Sequence, residues 1–413
     1  MQTFRKQVLI AAWLGSSAVG CRSGETSGTA VAPIGPVSPV AHPAPEGALT
    51  PFLAHGDDDR VLLSWSRRLG GDSAAIELAV MRAGAWGPVR QVTASDRLFI
   101  NWADYASVLP LGGDSVAAHW LATEGAGKYS YGVRIATSPD AGARWGTPTT
   151  PHTDGLEAEH GFVTLWREAD GVGAAWLDGR KSAMKDSVPE MTVRTAVLVR
   201  DGLAREAQLD ARTCDCCQTA AAHARSGMVV IYRDRTADEL RDISVVRQTA
   251  SGWSAPTPVS VDRWMTRACP VNGPSLAARG DTVAAAWFTA ASDTAKALVA
   301  LSPDAGAHFG PPVRIDDGSP IGRVQLLIEP SGDAIVSWLE RLSTDSAEVR
   351  VRRVTSDGRM SAATTITRVA ASRGSGFARM IRDGDRLLFA WTVAGAPSRI
   401  AMAQALARPV TVD

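Results

Sequence analysis

A short apolar stretch ending in an aromatic residue recurs seven times along this 413-residue chain. It reads VLLSW to Trp65, VAAHW to Trp120, VGAAW to Trp176, VVIY to Tyr232, VAAAW to Trp287, AIVSW to Trp338 and LLFAW to Trp391. Successive aromatics stand 55, 56, 56, 55, 51 and 53 residues apart. A period this regular marks a repeat architecture. Each copy has one grammar: an apolar segment, a Gly/Asp turn, the aromatic strand, a variable loop, a third strand, a Gly turn and a closing strand such as PVRI. Four antiparallel strands per unit make a propeller blade, and a β-sandwich would not repeat its strand order seven times. The chain therefore reads as all-β, a β-propeller of seven four-stranded antiparallel blades over residues 50–413.

Composition agrees. Thirteen Trp against four Tyr, with 38 Gly and 23 Pro, suit many short strands joined by tight turns. Lys plus Arg equals Asp plus Glu at 43 each, so no basic surface marks the chain for nucleic acid. Five Cys are too few to staple a chain of this length, and the core must come from packing.

Residues 1–20 read as an export signal. Arg5 and Lys6 precede a short apolar run at 8–14, and small residues lead to Cys21. The stretch before Cys21 resembles the bacterial lipobox, although Ala18 stands where that motif prefers Leu. The resemblance implies lipid on Cys21 and a place in the cell envelope, with the membrane met through that anchor alone. Residues 21–49, rich in Pro, Gly and Ser, read as a tether that reaches about 80 Å if extended at ~3.1 Å per residue.

The turn before the fourth strand is more specific. Ser138-Pro139-Asp140-Ala141-Gly142-Ala143-Arg144-Trp145 and Ser302-Pro303-Asp304-Ala305-Gly306-Ala307-His308-Phe309 both fit S-x-D-x-G-x-x-W/F. Gly84-Ala85-Trp86, Ser251-Gly252-Trp253 and Ser356-Asp357-Gly358 are weaker copies. Asp accepts backbone N–H bonds inside such a turn, Gly supplies positive φ, and the aromatic packs between strands. This pattern resembles the Asp-box, or BNR repeat, of sialidase-like propellers. Sialidases have six blades, the alternative to the seven counted here. The resemblance implies fold and leaves activity open, because Asp-boxes also occur in propellers that hydrolyse nothing.

Strand order places the residues before each first strand and after each repeat aromatic at one mouth of the channel, opposite the boxes. There stand Asn101, Trp102, Asp104, Glu157, Glu159, His160, Asp215, Gln218, Asn272, Arg323 and Arg373, and also Asp178, Arg180, Arg233, Asp234, Arg235 and Arg341. We take Asp215, Gln218, Arg180, Arg233, Arg235, Asn272 and Arg341 as ligand-binding candidates, with blades 3 to 5 the main location. Arg forks suit anionic groups. Asp178, Asp234, Glu157 and Glu159 are the carboxylates available for glycoside hydrolysis. Arg–Asp ion pairs tying loops together are the structural alternative, and the reading expected for Arg233-Asp234-Arg235.

Sialidases use an Arg triad, a Tyr paired with Glu, and an Asp acid/base. This chain lacks the F/Y-R-I-P motif, and its four Tyr, at 105, 129, 131 and 232, all precede the last three repeats. No sialidase catalytic residue is carried over.

Cys214 and Cys269 each lie 18 residues before a repeat aromatic, so they share a position in neighbouring repeats. With Cys216 and Cys217 they read as two disulfides, one stapling blade 4 to blade 5 and one within 214–217. The alternative is a thiolate site for a soft ion such as Cu(I), near His160 or Asp215. No P-loop, G-x-S-x-G, H-E-x-x-H or dinucleotide fingerprint is present, and no cofactor is expected. The expectation is a monomeric, lipid-anchored propeller binding a carbohydrate or other anionic small ligand. A sialidase-like hydrolase and an assembly scaffold are the alternatives.

Overall fold

The computed structural model describes residues 30–127, 129–185 and 187–408. Cys21, and with it the export and lipid-anchor expectation, lies outside them. The described chain is almost entirely antiparallel sheet, and its one α-helix is the single turn Arg180–Ala183.

Seven small sheets follow one another in sequence. Their first strands are Ala48–His55, Ser107–Gly112, His160–Arg167, Ala220–Ala224, Ser275–Arg279, Pro320–Ile328 and Arg379–Asp383, which open blades 1 to 7. Each of these contacts the first strand of the next blade, and that of blade 7 contacts that of blade 1. The first strands therefore close a ring round a central axis. Blade 2 has the most reduced fourth strand, a bridge between Ile135 and Thr149.

All seven repeat aromatics fall in second strands, as the spacing predicts. The reason for Trp is visible at its polar edge. Trp65 Nε1 donates to Glu77 at 2.8 Å, Trp176 to Asp178 at 2.9 Å, Trp287 to Asp262 at 2.6 Å and Trp338 to Glu340 at 2.6 Å. Tyr232 does the same with its hydroxyl, to Asp210 at 2.6 Å. Each ring is buried apolar mass with a satisfied polar tip. Burying an indole contributes roughly 4–6 kcal/mol by area before entropy is charged against it.

Among the described residues, buried apolar side chains form seven clusters, one at each interface between neighbouring blades. Both faces of every sheet are therefore covered. This is why second strands read as unbroken apolar runs and do not alternate.

One boundary needs correction. Residues up to 49 read as tether, yet Val37–Val40 is a strand. It pairs antiparallel with Arg399–Leu406, the third strand of blade 7, and becomes that blade's outermost strand. Ile34 is buried in the cluster between blades 6 and 7, and Gly35 N donates to Leu406 O at 2.9 Å. The N-terminal side supplies this blade's fourth strand, and the ring is closed by hydrogen bonds between distant parts of the chain.

The two S-x-D-x-G-x-x-W/F turns have the same geometry. Ser138 Oγ accepts from Gly142 N at 2.8 Å and Asp140 Oδ1 from Arg144 N at 2.8 Å. Ser302 and Asp304 repeat this with Gly306 N at 2.9 Å and His308 N at 2.9 Å. Gly142 has φ +90°, and a Cβ there would meet Leu78 Cδ2 of blade 1 at 2.9 Å. The turn thus needs its glycine for conformation and for space.

Candidate functional site

The mouth opposite these turns is crossed by residues 101–105, the segment leading into blade 2. Asn101 Oδ1 accepts from Ala103 N at 2.8 Å and tightens the crossing into a turn. Ala103 O accepts from Gln218 Nε2 of the blade 4 approach at 2.6 Å. Asp104 Oδ1 accepts from Phe162 N of blade 3 at 2.8 Å. Trp102 stacks on Phe377 of the blade 7 approach, with ring centroids 6.1 Å apart. A segment that touches blades 3, 4 and 7 from blade 2 lies over the axis.

Three expected ligand-binding residues are consumed by the fold. Arg233 is 1% exposed. Its guanidinium donates to Asn272 O at 2.8 Å, Phe288 O at 2.7 Å and Arg241 O at 2.6 Å, bracing blade 4 to blade 5. Asn272 Oδ1 accepts from Arg323 N at 2.8 Å and its Nδ2 donates to Ile321 O at 3.1 Å, joining blade 5 to blade 6. Gln218 Oε1 accepts from Gly273 N at 2.9 Å, so its amide is used at both ends. Polar residues belong here because loop backbone at a closed mouth must be satisfied by side chains.

On blades 3 and 4 the charges are paired. Arg180 binds Asp178 through two bonds of 2.7 Å and also reaches Asp154 at 3.0 Å. Burial opposes ionisation of Asp178, but bonds from Arg180 and Trp176 and the adjacent His160 hold its carboxyl below the usual range. Arg235 pairs with Glu239 at 2.8 Å and lies 4.0 Å from Asp215. Asp234 accepts from Arg235 N at 2.6 Å and Ser244 Oγ at 3.0 Å, so of the stretch 233–235 it is Arg235 that enters ion pairs. Burial and Asp210 push Asp234 up. Glu157 is exposed on the rim.

Glu159 differs. It accepts the Tyr131 hydroxyl at 2.7 Å. Asp104 Oδ2 lies 3.4 Å from the same hydroxyl. Burial raises Glu159 to about 7, against the Tyr131 bond and with help from Asp215. Burial raises Asp104 to about 8. Tyr131 is itself pushed up by burial and stacks on Phe99 at 4.0 Å. Gly161 makes room, since a Cβ there would fall 2.1 Å from Asp104 Oδ2. Sequence reasoning passed over Tyr131 as a site residue. Its signal was position: it opens a third strand, whose start faces this mouth.

Blades 6 and 7 carry the opposite arrangement. Arg323, Arg341, Arg373 and Arg379 all stand at this mouth, and no described carboxylate forms an ion pair with any of them. Arg323 donates to Gly376 O at 2.7 Å and Ser372 O at 3.0 Å, and lies 4.8 Å from the Trp102 ring centroid. Burial, with Arg341 and Arg373 nearby, lowers it to about 10. Arg373 is exposed and lies 6.0 Å from the same ring. Arg379 is buried, sits 3.8 Å from the Tyr105 ring centroid, and leaves Nε and Nη2 without a partner. Of the expected ligand-binding arginines only Arg341 falls in this group.

The cysteines converge. Cys216 and Cys269 form a disulfide across blades 4 and 5, with Cα atoms 6.1 Å apart. Cys214 and Cys217 are buried free thiols with sulfurs 3.4 Å apart, so the second expected bridge is absent. A bond from Cys217 and the nearby Arg233 and Arg241 hold Cys214 below the ordinary thiol value, and burial pushes Cys217 up.

No protein-family model and no curated protein matches the chain. Solved structures do. An ulvan lyase, a polysaccharide lyase, superposes with TM-score 0.53 at 11% identity, covering 92% of this chain and 95% of that chain. The α-L-arabinofuranosidase from Fusarium graminearum gives TM-score 0.48 at 12% identity, with 92% and 98% covered. The phage phi92 endosialidase gives 0.49 at 9% identity, with 92% and 70% covered. The first of these likenesses shows a common propeller fold. Sialidases and other carbohydrate-cleaving propellers are among the structural neighbours.

Proposed function

We propose that this propeller binds an acidic saccharide at the mouth, on the side of blades 6 and 7. The observation that supports this is the group of four arginines without carboxylate partners, set against the aromatic residues of the crossing segment. A guanidinium in such a place costs solvation energy that an arriving carboxylate or sulfate restores, through charge-assisted bonds stronger than neutral ones. The partly buried Trp102 and Tyr105 rings, backed by buried Phe377, supply apolar surface of the kind a sugar's C–H face covers. Neighbours whose names carry polysaccharide substrates agree with the reading.

A second reading, cleavage of the bound saccharide, is favoured by one observation: Tyr131, Glu159 and Asp104 meet at the same mouth. Glu159, with a pKa near neutrality, is suited to give a proton to a leaving oxygen and take it back.

We further propose that the protein acts as a monomer at the cell envelope, held by lipid on Cys21. Membrane retention of the wild type and loss of it in Cys21→Ala would support this; equal retention after high-salt washing would refute it.

Calorimetric titration tests the main reading. Oligosaccharides containing uronic or sialic acid should bind, and their neutral counterparts should not. Arg373→Ala and Arg341→Ala, both at exposed positions, should each weaken binding roughly tenfold to a hundredfold, the worth of one hydrogen bond to a charged group. Equal binding of acidic and neutral sugars, or indifference to both substitutions, overturns it.

A further inference from the structure

We propose that Cys214 and Cys217 form a binding site for Cu(I), held between their two sulfurs. The proposal is independent of the saccharide site.

Four observations carry it. The sulfurs are 3.4 Å apart on one short C-x-x-C loop, close enough to share an ion. Cys214 is 0% and Cys217 1% exposed, which shields a soft ion from water and oxidants. The Cys216–Cys269 disulfide fastens the loop from its middle, so the two free sulfurs are held in place by the fold. Finally, the surroundings are cationic. Arg241, 2% exposed, donates to Cys214 Sγ at 3.2 Å. The charge of Arg233 acts on both thiols, and among the described residues its guanidinium bonds only to backbone carbonyls and forms no ion pair. A Cu(I) ion between two thiolates carries one net negative charge, which the Arg233 guanidinium offsets, while Arg241, paired also with Glu239 at 3.0 Å and Asp215 at 3.3 Å, contributes a hydrogen bond to Cys214.

The donor set selects the ion. Thiolates prefer soft metals. Zn²⁺ in a structural site takes four ligands, and the disulfide leaves only two thiols here. Asp215 is committed to Arg241 at 3.3 Å. Two sulfur ligands suffice for Cu(I). Entry is from the surface side, where half-exposed Asp215 and exposed Cys269 lie above the loop. Binding involves no electron transfer. Two Cu–S bonds form, the ion stays Cu(I), and the thiol protons pass to solvent.

The test uses the full chain purified without oxygen and without added metal. Cu(I) is titrated against a chromophoric Cu(I) chelator, and thiols are counted by alkylation in denaturant with mapping by mass spectrometry. The expected result is one Cu(I) per chain, with Cys214 and Cys217 alkylated in the apo protein and protected when the ion is present. Cys214→Ser and Cys217→Ser should abolish uptake, and Arg241→Lys, which alters the hydrogen bond to a ligand sulfur, should weaken it about 10- to 100-fold. Protection mapping in the unaltered chain keeps the test decisive if a variant fails to fold. The proposal is overturned by a Cys214–Cys217 disulfide in the anaerobic protein, by no uptake, or by uptake unchanged in both Ser variants.

Discussion

The Arg323 guanidinium lies over the Trp102 indole, its central carbon 4.8 Å from the ring centroid. One residue belongs to the first strand of blade 6 and the other to the segment that crosses from blade 2. The contact therefore fixes the crossing segment and presents a cation beside an aromatic face, without an acid to neutralise it.

We predict that the repeat aromatics act through their polar tips as well as their mass. Trp338→Phe keeps most of the buried ring and leaves Glu340, 3% exposed, without the 2.6 Å bond from Nε1. The expected loss is about 1–3 kcal/mol. Chemical denaturation of both proteins checks it, and equal midpoints would show that the bond contributes nothing.

The N-terminal strand should behave as part of the ring. Ile34→Ala, in the cluster between blades 6 and 7, should cost about 2–5 kcal/mol. Removing residues up to 43 should cost at least as much, since it also bares the edge of blade 7 that Val37–Val40 covers. Thermal unfolding of the truncated chain at an unchanged midpoint would return this segment to the status of a tether.

Acid residues on Tyr131 give stability a specific pH dependence. Asp104 has an ordinary value of 3.8 and is raised to about 8 in the fold. The folded chain thus holds a proton that the unfolded chain has lost between about pH 4 and pH 8. Stability from this group is full below pH 4 and is lost as pH rises to 8, by at most about 1.4 kcal/mol per pH unit. Asp104→Asn should flatten the fall. Parallel pH profiles for wild type and variant would contradict the assignment.

The fold was legible because it is periodic. Seven aromatics at one spacing require seven equivalent strands, and no loop detail alters that. The closing strand was not legible, because Val37–Val40 has too few residues and too many prolines beside it to show a period; only its partner strand defines it. Site residues were legible as a face and not as roles. Arg233, Asn272 and Gln218 stand at the mouth as expected, but whether a polar side chain bonds a ligand or a neighbouring loop depends on backbone carbonyls from other blades. Tyr131 comes from the start of a strand and Asp104 and Glu159 from two separate approach segments, and their meeting is a fact of the ring.

The central claim is that an acidic group binds to the arginines of blades 6 and 7. A crystal structure with a uronate-containing oligosaccharide tests it most directly. The account predicts the carboxylate within hydrogen-bond distance of Arg373 or Arg341, with a sugar ring against Trp102. Ligand bound instead among the paired charges of blades 3 and 4, or a saturated crystal with no ligand at the mouth, would contradict it.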